Sequence, residues 1–113
     1  MARKVLIVED DASVRNALTD MLAFIGFEVR AVATAGEALA ALDGQDIAVI
    51  DLNLPDAIGT VVLRKIRSEG RAIRTVVWTA DPDAFAWVNA GYEPDALLCK
   101  PDIDALIAWL GDP

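Results

Sequence analysis

Short apolar runs alternate with helical spacing along the whole chain. Val5-Leu6-Ile7-Val8 is continuously apolar, the pattern of a strand buried on both faces. Behind it, Val14, Ala17, Leu18, Met21 and Ile25 recur at i, i+3, i+4, i+7 and i+11, which predicts one inward helix face. Gly26 stands where that helix would end. Residues 28–33 read as a second strand, and Thr34-Ala35-Gly36-Glu37 matches a capping box for a short alanine-rich helix ending near Leu42. Asp43-Gly44 predicts a turn before Ile47-Ala48-Val49-Ile50, the most continuously apolar run and therefore expected at the centre of a sheet. Leu54-Pro55-Asp56 breaks the chain, and helical spacing resumes over 58–69 with Val62, Leu63 and Ile66 inward. Thr75-Val76-Val77-Trp78 predicts a fourth strand. Asp81-Pro82 opens a short helix, with Pro82 suited to its first turn. Ala96-Leu97-Leu98-Cys99 reads as a fifth strand, and Asp102 caps a last helix with Ile103, Leu106, Ile107 and Leu110 on one face.

The pattern is (βα)5 without linker, repeat or low-complexity segment, and it predicts a single α/β domain over residues 1–113. Buried strands alternating with helices argue for a doubly wound parallel five-stranded sheet, expected here in the order 2-1-3-4-5. The ligand site of such a sheet lies beyond the carboxyl ends of its strands, where the strand order reverses. Those ends carry Glu9-Asp10-Asp11 after strand 1, Asp51 after strand 3, Thr79 at strand 4 and Lys100 after strand 5. With neighbouring strands about 4.8 Å apart, the four ends can converge on one pocket.

Crowded carboxylates repel one another and call for a cation, and an oxygen-only donor set suits Mg²⁺. Asp51 beside such an ion can serve as a nucleophile that forms an aspartyl phosphate. The Lys100 ammonium can neutralise the oxygens of a transferring phosphoryl group, and the Thr79 hydroxyl can donate to one of them.

Composition narrows the picture further. The chain is 55% hydrophobic and 25% charged, which is globular rather than disordered. Its net charge of −8 disfavours a nucleic-acid backbone or an anionic membrane as partner. The basic stretches Arg64-Lys65-Ile66-Arg67 and Arg71-Ala72-Ile73-Arg74 read as a solvated helix face and its following loop. No apolar run approaches the roughly 20 residues of a membrane span, and the first residues lack a signal-peptide core, so a cytoplasmic protein is expected. A lone Cys99 excludes an internal disulfide. The absence of histidine excludes the common zinc frameworks and any imidazole-based triad within the chain.

Val5-Leu6-Ile7-Val8-Glu9-Asp10-Asp11, Val49-Ile50-Asp51-Leu52-Asn53-Leu54-Pro55 with Gly59, Trp78-Thr79-Ala80 and Cys99-Lys100-Pro101 together resemble the receiver domains of bacterial two-component response regulators. The resemblance covers essentially the whole chain. It implies a flavodoxin-like fold of the chemotaxis-regulator kind, in which Asp51 accepts a phosphoryl group from a sensor histidine kinase or a histidine phosphotransfer protein. It further implies Mg²⁺ held by Asp10, by Glu9 through water, by Asp51 and by the Asn53 carbonyl. Thr79 resembles the switch hydroxyl, Lys100 resembles the phosphate partner, and Lys100-Pro101 matches a cis bond. The implied role is that of a signalling domain which assists its own phosphorylation and dephosphorylation, rather than an enzyme.

Two positions depart from that pattern. Leu97 stands where receivers usually carry Tyr or Phe, and Asp102 replaces the aromatic residue after Lys-Pro. With one receiver and no output domain, a stand-alone protein signalling by contact is expected. Trp87, Leu97 and Trp109 would mark the surface for a downstream protein or a homodimer. A module excised from a hybrid kinase or a longer regulator, or a non-phosphorylated pseudo-receiver scaffold, are the alternatives. A hydrolase of the haloacid-dehalogenase type would want a second Asp where Asn53 stands.

Overall fold

The computed structural model describes residues 2–80, 83 and 93–111. Five strands, β1 (Lys4–Val8), β2 (Glu28–Val32), β3 (Ile47–Ile50), β4 (Arg74–Thr79) and β5 (Ala96–Cys99), form one sheet in the order β2-β1-β3-β4-β5. Every pairing is parallel. Among the described residues four helices accompany them: α1 (Ala12–Phe24), α2 (Ala35–Leu39), α3 (Thr60–Ser68) and α4 (Ile103–Leu110). The fold is the expected α/β doubly wound sheet. The helix expected after Pro82 lies outside the described residues, and Trp87 with it.

Burial explains the order. β3 is buried at all four positions and takes the centre, whereas β2 and β5 at the edges are buried only in part. Successive side chains of a strand alternate between the faces. Leu6, Val8, Ala48, Ile50 and Val77 therefore meet α2 and α3 on one face, together with Val62, Leu63 and Ile66. Val5, Ile7, Ile47, Val49, Val76 and Trp78 meet Leu18 and Leu22 of α1 and Leu106 and Leu110 of α4 on the other.

The local signals locate the helices well. Asp11 accepts from the Val14 N–H at 3.1 Å and caps α1, and Asp102 accepts from the Ala105 N–H at 3.0 Å to cap α4. Thr34 accepts from the Glu37 N–H at 3.1 Å, while Glu37 reaches back to the Ala33 N–H at 3.3 Å, one residue earlier than the capping-box rule expects. Gly26 and Gly44 adopt positive φ of 109° and 81°, as turn glycines should.

One expectation needs correction. Of the α1 stripe, Leu18 is buried and Val14 packs against it, but Met21 and Ile25 are 37% and 46% exposed. Leu22 takes the inward place instead, because the face that meets the sheet runs Val14, Leu18, Leu22, at steps of four. Of the expected contact surface, Leu97 and Trp109 lie among the described residues. Leu97 packs against the α2–α3 side of the sheet, and Trp109 packs against the α1–α4 side with the Arg74 guanidinium 4.3 Å from its ring centroid. The two side chains are partly buried and lie on opposite faces of the sheet beside its β5 edge.

Candidate functional site

Each strand end delivers its residue because the sheet pairing runs on past the strand. The Glu9 N–H donates to the Val32 carbonyl and the Asp51 N–H to the Val8 carbonyl, both at 3.0 Å. The Lys100 N–H donates to the Thr79 carbonyl at 2.8 Å, and Lys100-Pro101 is cis. Backbone fixed in this way fixes where the side chains begin. Glu9 and Asp51 are 3% and 8% exposed, Thr79 is fully buried, and Asp10 is exposed.

The carboxylate oxygens of Glu9, Asp10 and Asp51 come within 4.8 Å of one another. Lys100 Nζ donates to Glu9 Oε1 and, at 3.1 Å, to Asp51 Oδ2. Its ammonium also lies 5.5 Å from the centroid of the Trp78 ring. Burial pushes the Glu9 carboxyl up to about 7; the hydrogen bond from Lys100 opposes that rise, and the adjoining Asp51 carboxylate reinforces it. Burial works against the Lys100 charge, but the hydrogen bond to Glu9 and the charges of Asp51 and Glu9 outweigh it and hold the ammonium above its ordinary value. One lysine thus shares out its charge between two buried acids, with Asp10 beside them. Such an all-oxygen cluster fits a hard divalent cation of the Mg²⁺ kind.

Asn53 meets the site through its backbone, its N–H donating to Asp51 Oδ1 at 3.3 Å. Its residue forms an isolated antiparallel bridge with Ile58, and the Gly59 N–H closes the same loop on the Leu52 carbonyl at 2.8 Å. Gly59 is needed there. A Cβ at this position would stand 2.1 Å from the Asp51 carbonyl oxygen, so any side chain would displace the backbone that carries Asp51.

Three supports went unseen in the sequence. Arg15 Nη1 donates to the Glu9 carbonyl at 3.0 Å and to the Asp10 carbonyl at 3.2 Å. Asp56 accepts from the Ala35 and Gly36 N–H groups, each at 2.9 Å, and so ties the loop after Asp51 to the start of α2. Asp11, third of the acidic run, is spent on capping α1 and only its N–H turns to Glu9, at 3.3 Å from Oε2. Asp directly before a helical pattern was a legible signal for that last role.

The response regulator receiver domain family matches residues 5–109. The chain belongs to that family. Receiver domains of two-component systems bind Mg²⁺ at their acidic pocket and interact with histidine kinases or phosphotransfer proteins. Among solved structures, the CheY-like receiver domain from Methanospirillum hungatei superimposes with a TM-score of 0.87 at 28% identity, covering 97% of this chain and 91% of that one. TrrA from Thermotoga maritima, solved in complex with Mg²⁺-BeF, shares the fold with a TM-score of 0.84 at 22% identity, covering 96% of each chain. The response regulator MprA of Mycolicibacterium vanbaalenii is 37% identical over 106 residues, which are 89% of this receiver chain and 45% of MprA. The DNA-binding transcriptional regulator NtrC of Proteus hauseri is 34% identical over 111 residues, 94% of this chain and 23% of NtrC. The receiver thus spans less than half the length of these curated relatives.

Proposed function

We propose that this receiver is a Mg²⁺-dependent phosphoacceptor whose acceptor is Asp51, phosphorylated by the histidine of a sensor kinase or phosphotransfer protein. The observation that carries the reading is the Asp51 carboxylate held 3.1 Å from Lys100 Nζ, with Glu9 and Asp10 gathered within 4.8 Å. No histidine occurs in the 113 residues, so the donor imidazole lies outside them.

Asp51 would attack the phosphorus of a phosphohistidine; the new O–P bond forms as the N–P bond breaks, and the imidazole leaves with the electron pair. Lys100 is placed to follow the negative charge from the carboxylate onto the phosphoryl oxygens, and the Thr79 hydroxyl at the end of β4 would donate to one of them. Glu9, Asp10, Asp51 and the Asn53 carbonyl would hold Mg²⁺, which when bound supplies charge neutralisation for the incoming phosphoryl group. Burial of Asp51 limits the water that could hydrolyse the product. Output would pass through contact with a downstream protein.

Intact mass after incubation with acetyl phosphate and Mg²⁺ tests the assignment. A gain of one phosphoryl group is expected, lost in Asp51→Asn and in EDTA. Labelling that persists in Asp51→Asn would sink it.

A further inference from the structure

The acidic turn between β1 and α1 has to hold two carboxylates against a third, and its side chains cannot steady one another because they repel. Its backbone is steadied instead. The Glu9 N–H is tied to Val32, and the Asp11 carboxylate to the first turn of α1. The carbonyls of Glu9 and Asp10 are both taken by one nitrogen of Arg15, at 3.0 and 3.2 Å. Peptide groups are planar, so fixing two successive carbonyls fixes the planes on either side of the Asp10 Cα. That sets the direction in which the Asp10 side chain leaves the backbone.

We propose that Arg15 is a positioning residue of the phosphoacceptor site, which sets the cation affinity of the Glu9–Asp10 pair by bridging their two backbone carbonyls. The inference rests on the Mg²⁺-dependent reading above. It has a sign that distinguishes it from a simple charge effect. A guanidinium close to three carboxylates repels a divalent cation, so as a charge alone Arg15 weakens Mg²⁺ binding and its removal tightens it. As a bridge Arg15 strengthens binding, and its removal weakens it. Partners of this supporting kind alter metal affinity by about 10- to 100-fold.

The test is the Mg²⁺ dissociation constant of the full chain by titration calorimetry, for wild type, Arg15→Met and Arg15→Lys, with circular dichroism in EDTA to establish folding. Arg15→Met keeps the apolar stem and removes donors and charge together; its Kd should rise by about 10-fold. Arg15→Lys, with its charge kept and a single donor atom at the tip, should recover part of that loss. Phosphorylation by acetyl phosphate should need more Mg²⁺ in Arg15→Met yet reach a near wild-type rate at saturation, a split that a general loss of stability would not produce. Should Arg15→Met fail to fold, Arg15→Gln reads the same sign. Equal or tighter Mg²⁺ binding in a folded neutral variant overturns the role of Arg15 while leaving the phosphoacceptor reading intact. Wild type that binds no Mg²⁺ overturns both.

Discussion

Lys100 reaches Glu9 and Asp51 with one ammonium group, from a side chain only 17% exposed. Removing one member of a buried ion pair costs more than the pair contributes, because its partners keep their charge without compensation. Lys100→Met should therefore lower the rate of phosphorylation by acetyl phosphate on the order of 10²-fold at saturating Mg²⁺, as loss of a preorganised charge partner does elsewhere. Single-turnover labelling followed by mass spectrometry would measure it, and an unchanged rate would remove Lys100 from the chemistry. The residues that form the centre of this site were legible as a set, since each follows a strand in the sequence. Arg15 and Asp56 were not legible, and for a common reason. Both act on backbone groups, Arg15 on two carbonyls and Asp56 on two N–H groups, and a backbone partner leaves no mark in the pattern of side chains.

Helix α1 shows how an apolar stripe can mislead about orientation. Ala17, Leu18, Met21, Leu22, Ala23, Phe24 and Ile25 crowd its second half, so two faces satisfy helical spacing equally well. The sheet selects the one through Leu18 and Leu22 and leaves Phe24 90% exposed. Leu22→Ala should cost about 2–5 kcal/mol, the range for truncating a core leucine, whereas Met21→Ala on the outer side should stay within about 1 kcal/mol. Urea unfolding of both variants checks the assignment; a larger loss at Met21 would reverse it. β5 presents the opposite case, a strand whose range was plain but whose anchorage was hidden. The Asp95 carboxylate accepts from the Thr75 N–H at 2.7 Å and from Arg67 Nη2 at 3.3 Å, joining the start of β5 to β4 and to the last turn of α3. Sequence spacing places Asp95 in a loop; only the parallel register of β4 and β5 reveals its partners.

At the scale of the whole molecule, the parallel order β2-β1-β3-β4-β5 and the meeting of Glu9, Asp10, Asp51 and Lys100 beyond the strand ends followed from the alternation of short apolar runs with helical spacing, because parallel strands buried on both faces admit few arrangements. The chain's lack of histidine has a bearing on its pH response. Between about 4.5 and 7, the folded protein without cation keeps on Glu9 a proton that the unfolded chain has released. Stability in EDTA should therefore be complete below that window and fall as pH rises through it, with few other groups titrating between. Thermal unfolding from pH 5 to 7 should show the slope in wild type and a flatter one in Glu9→Gln; parallel slopes would refute it. The Asp56 tether extends across the molecule in another way. Hydrogen bonds from Gly36 and then Ala35 hold its carboxyl below the ordinary range, so it remains an acceptor well into acid. The amide protons of Ala35 and Gly36 are thus shielded by a side chain about 20 residues further along the chain. Their hydrogen exchange is a clock for the loop that follows Asp51: each detachment of that loop is registered on α2, and NMR of two amides can time it without a label on the site itself.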